Sequence, residues 1–165
     1  MNARARCGLA ILWVAALGSL SCQQLQDVRD KQALRRLFRI PRGVEIVAYS
    51  GFPWLNGFGQ REGLSISATY QLTPRQLERF LRTQIPEGWE PLPVAEAVRA
   101  NPLYRNLNIP LEARTGFYLC RTAGDNVLYA KRTRPCACVE RLNDIILGVL
   151  DTDARRLFVV VRSRY

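Results

Sequence analysis

The chain has 165 residues, enough for one domain with its own core. It carries 24 Lys and Arg against 14 Asp and Glu, a net charge of +10, and only Lys31 and Lys131 of the bases are lysine. It contains no histidine, the usual general base near neutral pH and the commonest metal ligand, so Ser-His-Asp and Cys-His catalysis and histidine-containing zinc sites are excluded.

The chain opens with Arg4 and Arg6, an apolar run from Gly8 to Leu17, and Gly18-Ser-Leu-Ser21-Cys22. A basic head, an apolar core and small residues at a cut site are the parts of a secretory signal. The run is shorter than the roughly 20 apolar residues of a spanning helix, so cleavage is expected. The segment Ser19-Leu20-Ser21-Cys22 resembles the lipobox of bacterial lipoproteins, departing from it at Ser19, where leucine or valine is usual. The resemblance covers residues 1–22 only. It implies cleavage before Cys22, a diacylglycerol on its thiol and anchoring in the cell envelope. Gln23 in place of aspartate implies the periplasmic face of the outer membrane where two membranes exist. The alternative is an ordinary signal peptide that leaves Cys22 a free thiol. The expected layout is a signal peptide over 1–21, a lipidated tether with a short basic helix over 22–43, and a single α+β domain over 44–165.

From Cys22 to Tyr165 there are 144 residues, and loss of Arg4 and Arg6 lowers the charge from +10 to +8. A basic surface suits nucleic acid, anionic lipid or acidic glycans. Export argues against nucleic acid, and a merely solvated arginine surface is the plain alternative. Residues 23–30 are polar and read as a tether. Residues 28–39 are expected to form a short helix with Val28, Leu34, Leu37 and Phe38 as its apolar stripe. Arg29, Lys31, Arg35, Arg36, Arg39 and Arg42 lie close to the expected anchor, where they are candidates for contact with headgroups. Ile40-Pro41-Arg42-Gly43 ends that helix.

Val44–Tyr49 reads as a strand. Residues 50–63 carry glycines at 51, 57, 59 and 63 with Phe52, Trp54 and Phe58, which either enter the core or form an apolar contact surface. Gly57-Phe-Gly59 to Gly63 superficially suggests a phosphate cradle, but such a loop must open a helix and this one leads into a strand. That strand runs from Leu64 to Leu72, with Leu64, Ile66, Ala68, Tyr70 and Leu72 on one face. Thr73, Pro74 and Gln76 form a capping box for a helix that presents Leu77, Phe80, Leu81 and Ile85, and Pro86-Glu-Gly88 ends it. Trp89 reads as a core plug.

A short helix is expected at 93–100, a strand at 117–122, a turn at Gly124-Asp125-Asn126 and a strand at 127–133. The apolar runs Ile145–Leu150 and Leu157–Val161 read as a closing hairpin in the sheet interior. The whole predicts an α+β domain, a mostly antiparallel sheet of five or six strands with two or three helices chiefly on one face.

Cys120, Cys136 and Cys138 are disulfide candidates in an oxidising compartment, most simply Cys120 to Cys138. Cys136-Ala-Cys138 lacks the C-x-x-C spacing and a second ligand pair. Asp151-Thr-Asp153 lacks the further acids of a calcium loop and fits turn chemistry. Glu45, Glu62 and Glu140 have no spacing that unites two of them as hydrolase carboxylates. No catalytic residue, metal or cofactor is assigned. The expectation is a lipid-anchored binding or scaffolding protein that acts on another envelope protein or a glycan. The rivals are a small-ligand or sensory domain using the 50–63 loop with Trp89, and a carboxylate-based hydrolase.

Overall fold

The computed structural model describes residues 21–53, 63–105, 107, 109, 113–123, 127–130, 132–136 and 143–163. They form an α+β unit around one antiparallel sheet. Its strands are β1 (Glu45–Pro53), β2 (Leu64–Gln71), β3 (Glu90–Pro91), β4 (Gly116–Thr122), β5 (Arg134–Pro135), β6 (Asp144–Asp151) and β7 (Arg156–Ser163). The order is β1-β2-β7-β6-β4-β3, with β5 also on the outer edge of β4. Seven strands exceed the expected five or six because β3 and β5 are two-residue pieces that share that edge.

The β6–β7 hairpin lies in the sheet interior, as its apolar runs predict. Residues 145, 147 and 149 face one way with 158 and 160, while 146, 150, 157, 159 and 161 face the other, and all are buried. Burial on both faces is why these strands read as continuous apolar runs and not as alternation. On one face lie the two long helices, α1 (Ser21–Leu37) and α2 (Pro74–Gln84), which contribute Ala33, Leu34 and Phe80 to that core. The opposite face is covered by the single-turn helices α3 (Glu96–Arg99) and α4 (Pro102–Arg105), through Val98, Leu103 and Tyr104. Gly148 of β6 makes room for two rings, since a Cβ there would stand 2.7 Å from Trp89 and 2.9 Å from Phe38.

The α2 cap forms as read. Thr73 Oγ1 accepts from Gln76 N, and the Gln76 side chain accepts from Thr73 N at 2.9 Å. Only Phe80 of its stripe is fully buried, with Leu77, Leu81 and Ile85 packed at the margin. Trp89 is buried and meets Phe80 edge to face at 5.4 Å.

Three expectations change. Residues 23–30 are not a tether ahead of the helix, because they lie within α1. Their Gln, Leu, Asp and Arg are compatible with a helix, which is continuous with the docked turns at Asp30, Ala33 and Leu34. Leu25 and Val28 stay exposed, so Val28 does not belong to the buried stripe expected of it with Leu34, Leu37 and Phe38. α1 ends with Ile40 N donating to Arg35 O at 2.8 Å and Arg39 N to Arg36 O at 3.2 Å, around Arg39 at φ 49°. That is a Schellman cap with arginine where glycine is usual.

The described residues of 127–133 are not a strand. Val127–Tyr129 make one 3₁₀ turn, with Val127 and Leu128 both buried in the core beneath α1. Two consecutive buried side chains fit a plug, whereas a one-sided strand alternates. The third change is the disulfide, which joins Cys120 to Cys136, 16 residues apart, and not to Cys138. β4 and β5 pair Arg121 with Pro135 and Thr122 with Arg134, so the antiparallel register sets Cys136 across from Cys120. Their Cα atoms are 5.5 Å apart, within bridging range. Cys138 and the expected turn at 124–126 lie outside the described residues.

Candidate functional site

An open cleft of about 480 Å³ lies where the C-terminal end of α1, the end of α2 and the 3₁₀ turn at 127–129 meet the sheet. Five separate stretches of chain supply its wall. Phe38, Trp89, Leu119, Leu128 and Ile146 make an apolar floor, and Ala130 sits at the margin. The rim is cationic, with Arg36, Arg39 and Arg121 against Glu87. Arg39 spends its charge on Glu87 at 2.6 Å. Arg121 donates only to neutral acceptors, Glu87 O at 2.7 Å and Thr133 Oγ1 at 3.2 Å. Those bonds fix the guanidinium in place without neutralising it. Arg36 is exposed and has no acid partner among the described residues. A second concavity of about 420 Å³ shares Arg39 and Gln84 with the first and adds Arg42 and Arg79, with no acid in its wall.

A second polar feature runs along the seam between α1 and the β1–β2 hairpin. Lys31 Nζ stands 4.4 Å from the Tyr49 ring centroid, and the Arg35 guanidinium 5.3 Å from that of Tyr70. Arg35 also donates to Pro41 O at 3.1 Å and Val44 O at 2.6 Å, tying the helix end to the start of β1. Arg35 is thus a structural clasp. Of the six expected membrane-proximal bases, Lys31, Arg35 and Arg39 are engaged within the fold, while Arg29, Arg36 and Arg42 are exposed.

Asp30 in this seam is 3% exposed, with Oδ1 accepting from Gln26 Nε2 at 3.0 Å. Burial pushes its carboxyl above the usual carboxylate value and the nearby Asp27 adds to this, while the Gln26 bond opposes it. Burial likewise raises the Tyr49 hydroxyl, helped by Asp30 and Asp27. A raised folded-state pKa means that the native chain holds the Asp30 proton more readily than the unfolded one. Its ionisation therefore costs stability above the folded pKa, and stability recovers as pH falls through it. Asp30→Asn, which mimics the neutral form and keeps the acceptor for Gln26, should raise Tm at pH 7. The gain should fade below the ordinary value of 3.8. Thermal melts at pH 7 and pH 3.5 check this, and a lower Tm for the variant at pH 7 contradicts it.

The other singled-out residues fall elsewhere. Cys22 sits in the first turn of α1. Phe52 is in β1 opposite Ser65, while Trp54 and Phe58 lie outside the described residues. The glycine-rich segment leads through Gly63 into β2 and opens no helix. Asp151 Oδ1 accepts from Ala154 N at 2.8 Å, a turn bond, and Asp153 Oδ2 accepts from Thr115 Oγ1 at 2.5 Å, which ties the turn to the chain just before β4. Glu45 is exposed on the edge strand, and Glu62 and Glu140 lie outside the described residues. No set of three or more Cys, Asp or Glu stands together as a metal cage among the described residues. The cleft as a whole was missed in the sequence because its parts are scattered; Trp89 was the one visible signal, read as a core plug and, in the ligand-binding alternative, as a pocket partner of the 50–63 loop.

In comparisons with known proteins, no family model matches the chain, and neither a curated protein nor a solved structure does.

Proposed function

We propose that this chain is an exported, lipid-anchored protein of the cell envelope whose domain binds or scaffolds and does not catalyse. The observation that carries the reading is the apolar run ending in Ser21-Cys22 behind Arg4 and Arg6. The helix that runs from Ser21, the first described residue, to Leu37 sharpens it. An acylated Cys22 would lead straight into a helix whose other end is buried at Leu34. Twelve helical residues span about 18 Å, so the lipid would hold the domain at a short, fixed distance from the bilayer. Exposed Arg29, in the part of the helix nearer Cys22, fits that placement, since a base near an anionic surface adds about 1 kcal/mol, whereas Arg36 and Arg42 lie beyond Leu34 and outside that range. Among the described residues no helix is long and apolar enough to cross a membrane.

Cys22→Ala tests the reading by fractionation. One acyl chain holds a protein only marginally and two anchor it stably. The variant should either keep its signal uncleaved or leave the membrane fraction, while the wild type stays there until detergent is added. A wild type that is released by salt alone overturns the anchor. The ligand-binding alternative is favoured by the 480 Å³ cleft, although that cleft is built on Trp89 without any described residue of the 50–63 loop.

A further inference from the structure

We infer that the cleft between the ends of α1 and α2 is a binding site for a small amphipathic anion, a compact apolar body bearing one phosphate or carboxylate. This rests on the reading of the domain as a binding module and is independent of the lipid on Cys22.

Two observations select that chemistry together. The floor formed by Phe38, Trp89, Leu119, Leu128 and Ile146 is apolar, and these largely buried core side chains show only their edges to the cleft. A bare inorganic anion would leave it wet, whereas a flat or short-chain hydrocarbon would remove it from water. The rim holds three arginines and one glutamate. The Arg39–Glu87 pair cancels, leaving the charges of Arg36 and Arg121 unopposed. A neutral hydrophobe on the floor would crowd two cations with nothing to pair them, so the ligand must bring a negative group. Arg121 is already held by Glu87 O and Thr133 Oγ1, and this lowers the ordering cost of pairing. Arg42 and Arg79 in the adjoining concavity extend the positive field and guide an anion towards the rim.

Glu87 contributes selectivity. Its carboxylate neutralises Arg39 and so confines the unopposed charge of the rim to Arg36 and Arg121. The site therefore fits one charged head at the Arg36–Arg121 side and not a polyanion.

The test uses the purified full chain in nanodiscs of zwitterionic lipid, titrated calorimetrically with 2-naphthyl phosphate, 2-naphthol and inorganic phosphate, with empty discs as the blank. The expected result is one site per chain for 2-naphthyl phosphate, at least about tenfold tighter than either fragment, since charge-assisted pairing and apolar burial add. Arg36→Gln should weaken 2-naphthyl phosphate by about tenfold and leave 2-naphthol unchanged. Ala130→Trp, which fills the cleft from its margin, should remove saturable binding without lowering Tm. No saturable binding to the wild type overturns the proposal, as does equal affinity for 2-naphthol or binding that survives both substitutions. The mass of the N-terminus reports the anchor separately, so a failed titration on an acylated chain removes the cleft ligand and leaves the anchored domain standing.

Discussion

Gly116→Ala will lower the stability of the domain by about 3–5 kcal/mol, the sum expected for a forbidden backbone conformation and an overpacked strand. Gly116 opens β4 at φ 133°, a region closed to residues with a Cβ, and pairs with Asp151 at the end of β6. A methyl there would sit 1.9 Å from Leu150 O and 3.0 Å from its carbonyl carbon. Those are backbone atoms of a central strand, so relief requires β4 and β6 to part. The register of the sheet depends on that junction, where Thr152 N also donates to Thr115 O at 3.3 Å. Gly43→Ala is the control. Gly43 has φ 79° with nothing within 4 Å of a built Cβ, so only the conformational cost of about 1–2 kcal/mol applies. Urea unfolding of both variants separates the effects, and a loss below 1 kcal/mol for Gly116→Ala would show that the β4–β6 junction is not built this way.

The Cys120–Cys136 bridge carries the next largest effect. Closing a loop of 16 residues removes unfolded-state freedom worth on the order of 3 kcal/mol in the chain-entropy account. Cys120→Ser with Cys136→Ser should cost that much in an oxidising buffer and nothing further on reduction. The bridge also fixes the return of the chain from the plug at Val127 and Leu128, so the double variant should loosen the outer edge of β4 before the central hairpin. Cys138→Ser should leave both the bond and the stability intact. Peptide mapping without reductant decides: a Cys120–Cys136 peptide is expected, and a Cys120–Cys138 peptide or three free thiols contradicts it.

The central hairpin and the capped helix were legible because each is written in one contiguous stretch. Ile145–Leu150 and Leu157–Val161 are apolar at every turn of the pleat except Gly148, and only a doubly covered strand tolerates that. Thr73, Pro74 and Gln76 likewise name a helix start by local bonds alone. What stayed hidden depends on contacts distant in sequence. The first turns of α1 are polar and carry Leu25 and Val28 in water, so their helicity follows from docking further along. Val127 and Leu128 look like strand residues until the edge of β4 is seen to be divided between Glu90-Pro91 and Arg134-Pro135. Cys136 and Cys138 are equivalent by loop length, and only the register of β4 against β5 separates them. Of the cleft only Trp89 was read as a pocket residue, and with the wrong partner in the 50–63 loop, because Arg36, Trp89, Arg121, Leu128 and Ile146 come from five places. Its cations appeared in the sequence as part of a diffuse basic surface. The structure divides them into a clasp at Arg35, an ion pair at Arg39 and unopposed charges at Arg36 and Arg121.

The lipid anchor is the central claim, and the mass of the mature N-terminal peptide tests it most directly. The protein is taken from the membrane fraction in detergent and digested, and the N-terminal fragment is measured intact and after alkaline release of ester-linked acyl chains. The account predicts a chain beginning at Cys22 with a diacylglycerol on its sulfur, losing two fatty acids on alkaline treatment. An unmodified N-terminus at Cys22, or one at any residue downstream, contradicts it.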